Sequence, residues 1–204
     1  MLGSAPRALL LDLDNTLIDR DAAFLAWLAS LCARGATLDV DRLVSLDRGG
    51  HGNKRALFLT LGAALGIPAT DARALHDRDL PAFVTLAPAV AAWLDAFDGP
   101  KVIVSNGSSA LQRAKVEAAG LEPWVDGILI SGEQRTRKPH PSIFHRALAL
   151  AKVQPDAALM VGDHPVADIG GATAAGIPAC MLRTRWFRVP HGVHAVEQLR
   201  EVFA

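Results

Sequence analysis

Two carboxylates stand two residues apart in the stretch LLLDLDNTLIDRD: Asp12 and Asp14. On an extended chain alternate side chains share a side, so the two point the same way. Like charges that close repel and raise each other's pKa. A carboxylate can attack an electrophile or carry a proton, and a hard divalent cation would make the crowding tolerable. The pair could equally be turn chemistry, since Asp and Asn are common turn residues and Asn15 and Thr16 follow directly. Three further stretches carry reactive groups. Ser105-Asn106-Gly107 offers a hydroxyl and main-chain amides, Lys138 an ammonium, and Gly162-Asp163 with Asp168 two more acids. Taken singly, these read as a helix cap, a solvated basic loop and a turn.

The elements around these residues decide the matter. Short apolar runs, Ala8 to Leu11, Val102 to Val104, Ile128 to Ile130, Ala158 to Val161 and Ala179 to Leu182, suit strands covered on both faces of a parallel sheet. Helical periodicity falls between them. Val90, Trp93, Leu94 and Phe97 form one stripe, with Pro88 near its start and Gly99 past its end. Leu111, Ala114 and Ala118 form a second, which Ser108 or Ser109 could cap and Gly120 close. Ile143, Phe144, Ala147, Leu148 and Ala151 form a third. Val196, Leu199 and Val202 or Phe203 suggest a last helix. Alternating elements of this kind predict a doubly wound α/β fold with a mainly parallel sheet.

Residues 19–86 break the alternation. Phe24, Trp27, Leu28 and Leu31 mark a helix, Leu43 and Val44 another, Leu57, Leu61 and Leu65 a third, and a fourth follows Asp71. The expectation is an α/β core of residues 1–18 and 87–204 with an all-helical insert of residues 19–86. That insertion point is the carboxyl end of a parallel strand, where open α/β sheets bind ligands.

Lys plus Arg and Asp plus Glu are both 21, so no bulk field favours nucleic acid or an anionic membrane. No secretory leader is recognisable, and no apolar run would span a bilayer. Two cysteines, Cys32 and Cys180, lie far apart, which suggests a reducing, cytoplasmic setting with both thiols buried.

The four stretches, in this order and at strand ends or helix starts, resemble the haloacid dehalogenase superfamily, in particular its phosphatase branch with a helical cap inserted after the first strand. The resemblance covers nearly the whole chain and implies a Rossmann-like core and a Mg²⁺-dependent phosphatase. Its substrate would be a small-molecule phosphomonoester, and the route an aspartyl-phosphate. It makes Asp12 the nucleophile and Asp14 the general acid and base. Ser105, with the amides of Asn106 and Gly107, would hold the phosphate. Lys138, chosen over Arg135 and Arg137, would neutralise the phosphate and Asp12. The implied Mg²⁺ ligands are the Asp12 carboxylate, the Asp14 main-chain carbonyl and Asp163, with Asp168 supporting the metal. His164 reads as a neutral side chain lining the site.

In the insert, Arg48, His51, Lys54 and Arg55 surround a glycine-rich loop that either reads the leaving group or is a plain polar loop. A phosphomutase keeps the same four motifs and stays open as an alternative. A dehalogenase, which needs neither the second acid nor a metal, and a non-catalytic binding module fit less well. Phosphoglycolate, sugar phosphates and nucleotide monophosphates all suit the pattern, and the sequence does not choose among them or fix an oligomeric state.

Overall fold

The computed structural model describes residues 5–203. The chain forms two compact units. One holds the described residues up to Ile18 and from Leu86 onward, and the other is Asp19–Thr85.

The first unit is built on β1 (Ala8–Leu11), β2 (Lys101–Ser105), β3 (Gly127–Ile130), β4 (Ala158–Gly162), β5 (Ala179–Leu182) and β6 (His194–Val196). They form one sheet of order β3-β2-β1-β4-β5-β6, parallel throughout. Every residue of β1 and β4 is buried, as strands covered on both faces must be. The helices of this unit are α5 (Pro88–Asp95), α6 (Ser109–Ala118), α7 (Pro141–Ala151) and the short α8 (Gly171–Ala174). Alternate strand residues Ala8 and Leu10, Val102 and Val104, Ala158 and Met160 share one core with Ile143, Phe144, Ala147 and Leu148 of α7. The period of two in the strands thus meets the period of 3.6 in the helix. Pro141 opens α7 at its first turn, where a missing N–H costs nothing.

Three expectations change. Val196 lies in β6, paired with Leu182 of β5, and only a short 3₁₀ turn, Leu199–Glu201, follows. Val196, Leu199 and Val202 are still buried. Their spacing of three was met by a strand end and a tight turn rather than by a helix. In α6 the buried face is Gln112, Lys115 and Val116, whereas Ala118 is exposed. The apolar stripe was read out of phase because two polar residues occupy the inner face. Cys32 is exposed on the helical unit, Cys180 is buried in β5, and both are free thiols.

The second unit is helical throughout: α1 (Arg20–Ala33), α2 (Val40–Asp47), α3 (Lys54–Leu65) and α4 (Ala69–Asp79). Asp19, Asp39 and Asn53 cap the first three, each accepting a main-chain N–H three residues on. α4 begins before Asp71, which sits in its first turn. Phe24, Trp27 and Leu28 are buried, and the buried His76 ring lies edge-on to Phe24, Trp27 and Phe58. Asp47 is also buried. It forms a two-pronged ion pair with Arg20 and accepts from Lys54 Nζ at 2.9 Å and from the Gly50 N–H at 3.0 Å. A Cβ on Gly52 would fall 1.9 Å from the Leu46 carbonyl oxygen, so the turn leaving α2 requires glycine there. Among the described residues no helix is long and apolar enough to cross a membrane.

Candidate functional site

The strand order fixes where the acids meet. β1 lies between β2 and β4, and Leu11 is in register with Ile103 and Val161. The residue after β1, Asp12, therefore emerges beside the residue after β4, Asp163, with Ser105 closing β2 on the other side. The Asp12 N–H continues the ladder to the Val161 carbonyl at 2.9 Å. Such a carboxyl edge at the point where strand order reverses is where doubly wound sheets place ligands.

Lys138 brings the third stretch to this edge. Its ammonium lies 2.5 Å from Asp12 Oδ1 and 2.6 Å from Asp168 Oδ1, and all three side chains are buried. The Asn106 side chain secures the lysine by its backbone. Its amide nitrogen donates to the Lys138 carbonyl at 2.9 Å, and its oxygen accepts the Lys138 N–H at 3.0 Å. Arg135 and Arg137, the neighbouring cations, are exposed. Asp168 rides on a π-helical turn, Pro165–Gly170, of the kind often found at functional sites. Its Oδ2 accepts the His164 N–H at 2.9 Å. A Cβ on Gly162 would stand 2.5 Å from the Asp168 carboxyl, so glycine at the end of β4 is what admits that acid. His164 Nδ1 accepts from the Val166 and Ala167 amides, which makes it a cap on that turn. Burial, the main cause, holds its pKa below the usual histidine value.

The electrostatics show a shortage of positive charge. Burial pushes the Asp12 pKa up, with Asp168 adding to the rise and Lys138 opposing it. Burial, followed by the charges of Asp12 and Asp168, pushes Asp163 up to about 9. Burial alone would lower Lys138, but Asp12 and Asp168 override it and hold the ammonium charged. Carboxylate oxygens of Asp12, Asp163 and Asp168 lie within 4.8 Å of one another. With all three acids ionised, one ammonium would leave two negative charges uncompensated, which adds to burial in raising the Asp12 and Asp163 pKa values, and the donors are all oxygen. That donor set and charge suit a hard divalent cation such as Mg²⁺ rather than zinc.

Asp14 is held differently. Its two oxygens accept from Lys115 Nζ at 2.8 and 2.9 Å, and Oδ2 also accepts from Gln112 Nε2 at 3.0 Å. The same Gln112 nitrogen reaches Ser105 Oγ at 2.7 Å. Sequence reasoning missed Gln112 and Lys115. A polar pair three residues apart beside an apolar stripe looks like the solvated edge of a helix. The Gly107 N–H, expected to hold phosphate, instead donates to Ser131 Oγ, just after β3, at 3.0 Å, so this amide is already engaged. In the helical unit Lys54 pairs with Asp47, while Arg48, His51 and Arg55 are exposed.

Chemically, the sheet edge presents one buried carboxylate beside an ammonium and a hydroxyl, a second carboxylate two residues on, and an acidic cluster fit for a divalent cation. These are the parts needed to transfer an electrophilic group onto an acid and then to water.

Residues 6–176 match the model of the haloacid dehalogenase-like hydrolase family. A ribulose-1,5-bisphosphate 5-phosphatase of Halopiger xanaduensis is 32% identical over 195 residues, covering 83% of this chain and 82% of that enzyme. N-acylneuraminate-9-phosphatase of Mus musculus is 40% identical over 89 residues, covering 44% of this chain and only 36% of the mouse enzyme's length. Among solved structures, the putative HAD-hydrolase YfnB from Bacillus subtilis bound to magnesium superimposes with a TM-score of 0.81. It is 20% identical and 98% of each chain is covered, which speaks for the fold.

Proposed function

Because the chain belongs to the haloacid dehalogenase-like hydrolase family, we propose that it is a Mg²⁺-dependent phosphatase acting on a small-molecule phosphomonoester through an aspartyl-phosphate. The observation that carries this reading is the buried Asp12–Lys138 pair at the sheet edge, flanked by Ser105 and Asp163.

Asp12 attacks phosphorus, and the bond to the ester oxygen breaks as the acyl phosphate forms. Asp14 gives its proton to the departing alkoxide, then takes one from the water that attacks the acyl phosphate and releases inorganic phosphate. Lys138 orients Asp12 and offsets charge as it builds on the phosphoryl group, while the Ser105 hydroxyl and the Asn106 main chain hold phosphoryl oxygens. The Asp12 and Asp163 carboxylates and the Asp14 main-chain carbonyl would hold the Mg²⁺, with Asp168 in support. When bound, the metal supplies charge neutralisation and orientation of the phosphoryl group. Residues Asp19–Thr85 act as a cap, by their point of insertion after β1. Arg48, His51 and Arg55 would read the leaving group, whereas Lys54 is held by Asp47. The balanced net charge supports a small-molecule partner rather than nucleic acid, and the sparse cysteines support a cytoplasmic setting.

The test is hydrolysis of p-nitrophenyl phosphate with Mg²⁺ or with EDTA, alongside acid-quenched labelling by ³²P-substrate. Hydrolysis that EDTA abolishes and Mg²⁺ restores, with label lost in Asp12→Asn, is expected. Full activity in EDTA, or a labelled Asp12→Asn protein, overturns the mechanism.

A further inference from the structure

The inner face of α6 carries a lysine, although the core-facing stripe of a helix is ordinarily apolar. Lys115 is 2% exposed. Lysine is almost never fully buried unless paired, and a buried ion pair is seldom more stabilising than a well-packed apolar substitute. Stability alone therefore gives little reason for it. The contacts supply another. The ammonium spans both oxygens of Asp14 and donates to Gln112 Oε1 at 2.9 Å. Gln112, one turn back on the same face, spends its amide nitrogen on Asp14 Oδ2 and Ser105 Oγ. Because Ser105 Oγ accepts from Gln112, its own O–H stays available to donate.

We propose that Lys115 and Gln112 are positioning residues, which fix the Asp14 carboxylate and tie it to the Ser105 hydroxyl so that proton delivery and phosphate holding share one rigid frame. The inference rests on the phosphatase reading for its rate effects, but not for its geometry. Two groups that must act on one phosphoester, the acid at the leaving oxygen and the hydroxyl at a phosphoryl oxygen, come from different strand ends. Neither Asp14, in the loop after β1, nor Ser105, at the end of β2, fixes the other through the backbone. The α6 pair does so by side-chain bonds of 2.7 to 3.0 Å. A misplacement of about 1 Å in such a frame can cost roughly a hundredfold in rate.

The experiment compares Lys115→Met, Lys115→Arg and Gln112→Leu with wild type on p-nitrophenyl phosphate and on ethyl phosphate. Crystal structures of wild type and variants accompany the rates. Lys115→Met should lose roughly a hundredfold in kcat on ethyl phosphate, whose leaving group needs the proton, and far less on the activated ester, with KM little changed. Lys115→Arg should restore part of that loss. In the Asp14→Asn background Lys115→Met should cost nothing further, since residues acting through one another are non-additive. In the crystal the Asp14 carboxylate should leave its wild-type position. Equal losses on both esters, additive loss in Asp14→Asn, or an unmoved Asp14 would each overturn the inference. Should Lys115→Met fail to fold, Lys115→Arg and Gln112→Leu carry the same ester comparison. Wild-type and Asp14→Asn rates judge the phosphatase reading separately, and the Asp14 position decides the inference whatever they show.

Discussion

Lys138 Nζ and Asp12 Oδ1 are 2.5 Å apart although 126 residues separate them in the chain. Both side chains are buried, so neither can exchange its partner for bulk water. Replacing Lys138 by Met should remove the cation from three acids at once. We expect kcat on p-nitrophenyl phosphate to fall about a hundred- to a thousandfold, the range for losing one preorganised electrostatic donor. Mg²⁺ should raise the melting temperature of this variant more than that of wild type, because more charge then awaits compensation. A scan of melting temperature against Mg²⁺ concentration measures it, and an equal shift in both proteins would sink the electrostatic account.

The Arg20–Asp47 pair makes a second prediction. Asp47→Ala leaves a buried guanidinium without its carboxylate and frees the Gly50 amide. Breaking a buried pair on one side costs about 3–5 kcal/mol. Chemical denaturation of Asp47→Ala against the wild type reads this directly. Although burial works against it, Arg20 and Lys54 hold the Asp47 pKa below the ordinary carboxylate range. Its contribution is therefore present above the unfolded value and drains away as pH falls toward the lower folded one.

His76 acts in the same direction at higher pH. Its burial, only partly offset by the hydrogen bond with Asp77, lowers the pKa from the ordinary 6.5. Below that value the unfolded chain binds a proton that the folded chain refuses, so stability declines as pH drops from about 6.5 toward the folded pKa. Melting temperatures from pH 7 to 5 should slope downward on acidification, and the slope should be shallower in His76→Gln. Identical slopes would clear His76 of the effect.

A fourth prediction concerns the exposed cations beside the glycine-rich turn. If Arg48, His51 or Arg55 reads the leaving group, alanine at each should reorder a panel of phosphate esters while changing the rate on p-nitrophenyl phosphate little. Uniform change, or none, would mark the loop as solvated surface.

The strands that carry the acids were legible because continuous apolar runs such as Ala8 to Leu11 have few other uses in a chain of this kind. Asp12, Asp163 and Lys138 were singled out by their resemblance to the family's motifs, set after such runs and before helices, and the structure brings their side chains together. Gln112 and Lys115 were not, because periodicity searches for apolar residues on a buried face and this face is polar. β6 was missed because three residues at a sheet edge carry too little pattern to outweigh a spacing of three. The Arg20–Asp47 pair joins residues 27 apart on separate helices, and no local signal connects them.

The order of the strands has a consequence for synthesis. β1 leaves the ribosome before either of its neighbours, which begin only at Lys101 and Ala158. At about ten residues a second, Asp12 waits on the order of ten seconds for Lys138 to appear. During that interval Asp19–Thr85, an unbroken stretch of helices, is complete, while the ALLL strand ahead of it has no ladder partner. A nascent chain stalled before β4 would hold the whole helical unit and half a sheet, with an apolar edge exposed to chaperones and to its neighbours on the polysome.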